Sequence, residues 1–158
     1  MNDQQIQVLK DKIRQDLERV SNNVGDMAQS QKETAPEWLL TTAQAQLLCQ
    51  FYTGLESIFE KVLRLLNAIP PSKGDQYHKD VLNAAQTAKL YPDEHHAQLL
   101  DLLGFRHFSR HGYGMSLRPG EVNQKISSVI ANWPSIMRQI EALLETSGED
   151  SDPDKPEV

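Results

Sequence analysis

The sequence predicts an all-α fold, an antiparallel bundle of about five helices, and three observations carry that reading. Apolar residues recur at steps of three and four along most of the chain. No stretch of about four to eight residues alternates cleanly with the period of a strand. Clusters of Pro, Gly, Asp and Ser fall between the periodic segments and leave short connections, as a bundle requires. A chain of 158 residues fits one domain and can bury a core without disulfides or metals. No internal repeat marks a solenoid. The expected organisation is a helical bundle over residues 1–147 and a disordered acidic tail over residues 148–158.

The first helix is expected from residue 2 to about residue 31, where Ile6, Leu9, Ile13, Leu17, Val20, Val24 and Met27 form one stripe, weakened locally by Gly25. Thr34-Ala35-Pro36-Glu37 breaks it: Thr34 can cap, Pro36 suits a first helical turn, and Glu37 favours the positive helix end. A long second helix follows, from about Pro36 to Ile69, spanning about 50 Å. Its stripe is Leu48, Phe51, Leu55, Ile58, Val62, Leu65 and Ile69. Pro70-Pro71-Ser72-Lys73-Gly74-Asp75 ends it, and Asp75 can cap a shorter third helix reaching about Leu90. Tyr91-Pro92-Asp93 breaks the chain again. A fourth helix, capped by Asp93, runs through Leu99, Leu100 and Leu103 into a basic segment ending near His111. After a loop with Gly112, Gly114, Pro119 and Gly120, a last helix carries Val122, Ile126, Val129, Trp133, Ile136, Ile140 and Leu143. Pro134 should kink or split it.

Composition narrows the function classes. Apolar residues are 39% and charged residues 24%, a soluble composition with no apolar run of membrane-spanning length. The start, Met1 to Gln5, lacks the basic patch and apolar stretch of a secretory signal. The lone Cys49 excludes an internal disulfide and a cysteine-clustered zinc site. A reducing cytoplasm is the simplest location. Of the net charge of −6, −4 falls in the tail from Gly148 to Val158, so the body is close to neutral. Nucleic acid could be held only by a local basic site.

Such a site stands at Gly104 to Arg118, where three arginines and two histidines occur without an acid. On a helical wheel with Leu99 at zero, Leu103 falls near +40°, Arg106 near −20°, Arg110 near +20° and His107 near +80°. The cations therefore extend the face that the leucines turn to the core. They cannot be sealed there unpaired, since desolvating a charge costs several kcal/mol. A water-filled crevice, an acidic partner helix or a second subunit would each answer this. Arginine offers phosphate a planar fork of donors, and histidine exchanges protons near neutrality. Cleavage of RNA needs a base, an acid and a cation, and requires no metal. The bland alternative is that these cations only complement the dipole of a helix C-terminus.

Arg106, His111 and Tyr113 form the arrangement Arg-x4-His-x-Tyr. This resembles the signature of HEPN-domain ribonucleases, specifically the HepT-type toxins of bacterial toxin–antitoxin pairs. The residue after the arginine, often Asn, Asp or His in that superfamily, is His107 here. The resemblance implies a HEPN-like bundle and a metal-independent endoribonuclease without cofactors, with Arg106 and His111 as the catalytic pair. It implies a homodimer whose two motifs meet in one cleft. It also implies a partner nucleotidyltransferase antitoxin that adenylylates Tyr113, placing negative charge in the phosphate site. His107 and Arg110 would bind substrate or orient the catalytic pair. The rival function is a non-catalytic helical adaptor that holds RNA, a nucleotide or an acidic partner in the same cationic groove.

The remaining candidates read more plainly. His95, His96 and His78 are expected at the surface, with no carboxylate or cysteine completing a metal site. Glu56 and Glu60 could pair with the arginines, though a solvated helix face is the commoner arrangement. Trp38 and Trp133 are expected to pack, and Cys49 to be inert core.

Overall fold

The computed structural model describes residues 1–110 and 117–147; the tail lies outside the described residues. These residues form five α-helices: α1 (Asp3–Ser30), α2 (Glu37–Leu65), α3 (Asp75–Thr87), α4 (His96–Arg110) and α5 (Pro119–Thr146), with a 3-10 turn at Asp93–His95 leading into α4. The all-α reading therefore holds. No described helix is long and apolar enough to cross a membrane.

Helix α2 lies at the centre and packs against the other four, while α1 and α5 also pack on each other and α3 packs on α4. The stripes explain this arrangement. Leu9, Ile13, Leu17, Val20, Val24 and Met27 of α1 are all buried. So are Leu48, Phe51, Leu55, Ile58 and Val62 of α2 and Val122, Ile126, Val129, Trp133, Ile136 and Ile140 of α5. Helix α2 is apolar around more of its circumference than one stripe allows, because Tyr52, Phe59 and Leu63 are buried too. That is what a helix surrounded by neighbours needs. Phe51 and Trp133 meet edge to face at 5.8 Å between ring centroids. The indole N–H of Trp133 donates to Ser21 Oγ at 3.0 Å, so its burial leaves no donor unpaired. Trp38, expected to pack, is instead 70% exposed, because it sits in the first turn of α2 beyond the reach of α1.

Helix ends depart from the sequence reading in a consistent way. A capping box closes α1: the Asn2 side chain accepts from the Gln5 N–H, and the Gln5 side chain accepts from the Asn2 N–H. Thr34 does not cap α2; Pro36 occupies that position without a side-chain bond. Helix α2 stops at Leu65, four residues short of Ile69, because Asn67 turns left-handed at φ 54°. The Ala68 N–H then donates to Leu63 O at 2.7 Å and the Asn67 N–H to Arg64 O at 3.1 Å. Helix α3 ends the same way, with Lys89 at φ 62°, Leu90 N–H on Ala85 O and Lys89 N–H on Gln86 O. Both are Schellman motifs, so capping geometry ends these helices before the prolines are reached. Asp75 is the first residue of α3 rather than its cap. Pro134 does not split α5, which continues from Pro119 to Thr146.

Candidate functional site

The buried face of α4 is the row Leu99, Leu102 and Arg106. On the wheel this row centres slightly to the negative side of Leu99, and Arg106 falls within it, only 4% exposed. His107 and Arg110 are exposed. The expectation that all the cations share the inward side is therefore corrected: His107 lies outside the buried arc, and Arg110 opens to solvent in the last described turn of α4. His111 and Tyr113 lie outside the described residues.

Arg106 is sealed by an acidic neighbour helix, one of the three arrangements the charge pattern left open. Its Nη1 donates to Thr53 Oγ1 at 3.3 Å, and its Nη2 lies 3.6 Å from Glu56 Oε2. Its guanidinium carbon stands 5.0 Å from the centroid of the Tyr52 ring, a cation–π distance. Thr53, Glu56 and Tyr52 all come from α2. Glu56 is 5% exposed, so the solvated face expected for it is overturned. Burial, and after it the Glu56 carboxylate, push the Tyr52 phenol well above its ordinary value despite the opposing Arg106 charge. Tyr52 therefore meets Arg106 as a neutral ring.

The second oxygen of Glu56 holds His78, correcting the surface placement expected for that residue. His78 Nδ1 lies 2.7 Å from Glu56 Oε1 and 3.2 Å from Arg106 Nη2. An ionised carboxylate only accepts and a guanidinium only donates. The short contact to Glu56 therefore puts the proton on Nδ1, and the Arg106 approach is a contact rather than a hydrogen bond. Glu56 Oε2 accepts no hydrogen bond among the described residues, since its contact with Arg106 is too long for one. One buried carboxylate thus ties α3 and α4 to α2.

Beside this cluster a groove of about 610 Å³ opens between α3 and α4. His78 and Lys79 line one side, Arg106, His107 and Arg110 the other, and Leu100 and Leu103 supply apolar surface. Such a groove can take an anion against its cations and a flat apolar group against its leucines. Cys49 sits near Arg106, Arg110 and Ser109, yet burial pushes its thiol up, against the pull of those neighbours. A thiol so held is a weak nucleophile.

Sequence reasoning found Arg106, His107 and Arg110 and missed Lys79 and His78. The available signal was Glu56, a carboxylate one turn from Tyr52 and three residues from Phe59 on the most apolar helix of the chain. His95 and His96 also move from the expected surface. His95 is buried, with Nε2 2.8 Å from Ser135 Oγ, and His96 Nδ1 is 2.8 Å from the Tyr91 hydroxyl. Both are joined to the fold and stand apart from the groove.

These features define a class, an all-α bundle with a cationic groove at the end of its fourth helix. The family comparison is more particular. The family model described as HepT-like protein matches residues 43–147, from the second turn of α2 through α5. The chain belongs to this HepT-like family, within the HEPN class. Helix α1 precedes the matched span. A search of curated proteins found no match.

Proposed function

We propose that this protein is the toxin of a bacterial toxin–antitoxin pair, a metal-independent endoribonuclease in which Arg106 and His111 cut RNA within a homodimer. The observation that carries the reading is membership of the HepT-like family with Arg106 fixed at the inner edge of a cationic groove. HepT proteins are generally paired with a nucleotidyltransferase antitoxin, and here Tyr113 is the residue it would adenylylate. Cleavage of a phosphodiester builds charge on a crowded phosphorus centre, and a preformed cation stabilises that charge without reorganising. Thr53, Glu56 and Tyr52 hold Arg106 in one orientation, which is the form preorganisation takes here. Lys79, His107 and Arg110 would draw in and seat the RNA backbone although the chain is acidic as a whole. His107 and Arg110 are thus substrate-binding residues in this scheme, His111 exchanges the proton, and the cytoplasm supplies the RNA.

One observation favours the adaptor reading. Every described partner of Arg106 belongs to its own chain, as a structural arginine would require. Intact mass separates the two. Incubation with the cognate nucleotidyltransferase and ATP should add one or more adenylates to the wild type and none to Tyr113→Phe. Full modification of the phenylalanine variant would contradict the assignment of Tyr113.

A further inference from the structure

The Glu56–His78 contact leaves the imidazole with one committed edge and one open edge. Nδ1–H is fixed on a buried carboxylate at 2.7 Å. The side chain is nonetheless 35% exposed and lines the groove, and Nε2 makes no hydrogen bond among the described residues. Orientation of one ring nitrogen by a carboxylate presents the other as a proton acceptor, the division of labour seen wherever a histidine serves as a general base. The ring also stands 3.2 Å from the Arg106 guanidinium, so an anion held at the groove side of Arg106 lies beside it.

We infer that His78 is a further catalytic residue, the proton acceptor that activates a ribose 2′-hydroxyl of RNA bound in the α3–α4 groove. The inference rests on the ribonuclease reading above and adds to it a residue from a different helix. In the step, Nε2 takes the 2′-hydroxyl proton and the freed oxygen bonds to the adjacent phosphorus. The bond from that phosphorus to the 5′-oxygen of the next nucleotide breaks, and this oxygen leaves with a proton from His111. The products are a 2′,3′-cyclic phosphate and a 5′-hydroxyl, and water restores both histidines. The charged and titratable groups around His78 are Glu56 on α2, Arg106, His107 and Arg110 on α4, and Asp75 and Lys79 on its own helix.

The test uses the full-length protein and a short RNA that it cleaves. His78→Asn keeps an amide N–H to donate to Glu56 as Nδ1 does, and has no group to accept the proton. It should lower kcat by about 100- to 10,000-fold with KM nearly unchanged and remove the acid limb of the kcat profile, while its thermal midpoint stays at the wild-type value. Nitrogen NMR should place the neutral imidazole proton on Nδ1 in the wild type and shift it toward Nε2 in Glu56→Gln. An Nε2–H tautomer in the wild type, or an H78N enzyme with wild-type kcat and pH profile, overturns the inference. His111→Ala separates it from the reading beneath it. Cleavage lost in H111A but kept in H78N overturns His78 alone, whereas cleavage kept in H111A overturns the ribonuclease reading and this inference with it.

Discussion

Glu56 and Arg106 face each other with both side chains more than nine-tenths buried. Removing one member of such a pair strands the other charge, a loss of about 3–5 kcal/mol. Arg106→Ala should therefore destabilise the fold by roughly that amount, and Arg106→Ala with Glu56→Gln by clearly less, as read from urea unfolding. Equal losses in the single and the double variant would contradict the pairing. The consequence is practical: loss of activity in Arg106→Ala alone mixes chemistry with stability. The sequence made half of this legible. The wheel placed Arg106 inward because its position depends only on spacing along its own helix. The partner was harder to see, because spacing along α2 does not reveal which helix lies opposite Glu56. His78 was less visible still, since α3 is short and only Val81, Leu82 and Ala85 of it are buried.

Helix α2 approaches α1 most tightly at Gly54, where an added Cβ would stand 2.9 Å from Val20 Cγ2. Val20 is buried and β-branched, so it has little freedom to move aside. Gly54→Ala should cost about 1–3 kcal/mol through overpacking, even though alanine is the better helix former. Gly25→Ala, with nothing within 4 Å of its added Cβ, should instead stabilise by up to about 1 kcal/mol. Thermal midpoints of the two variants provide the check, and a stabilised Gly54→Ala would contradict the close contact. The stripes of α1, α2 and α5 were readable because amphipathic periodicity is a local property that tertiary packing reinforced. The ends of α2 and α3 were not, because Asn67 and Lys89 reach left-handed geometry without a glycine to announce it. Proline misled in α5 as well. Trp133 and Ile136, buried on either side of Pro134, hold the helix in place where propensity alone would break it.

Across the whole molecule, two phenols tie the stability of the core to alkaline pH. Burial raises both Tyr52 and Tyr91 well above the ordinary value, which is about 10. Above that pH the unfolded phenols lose protons that the folded ones keep. The unfolded state then binds fewer protons, and stability falls as pH rises. Urea midpoints should hold steady up to about pH 9.5 and drop beyond about pH 10, with a shallower drop in Tyr52→Phe; a midpoint flat through this range would contradict the burial of these rings. The bundle and its cationic turn were legible from the chain because each follows from spacing. The groove was not, since it exists only where α3 meets α4, and the family match then joined that groove to a known class of protein. The claim that the groove cuts RNA is tested most directly by the cleavage rate of the purified wild type beside His111→Ala and the Arg106→Ala, Glu56→Gln double variant, all verified as folded. The account predicts cleavage by the wild type and a loss of at least about 100-fold in each variant. Wild-type rates in both variants, or a wild type that binds RNA and never cuts it, would contradict it.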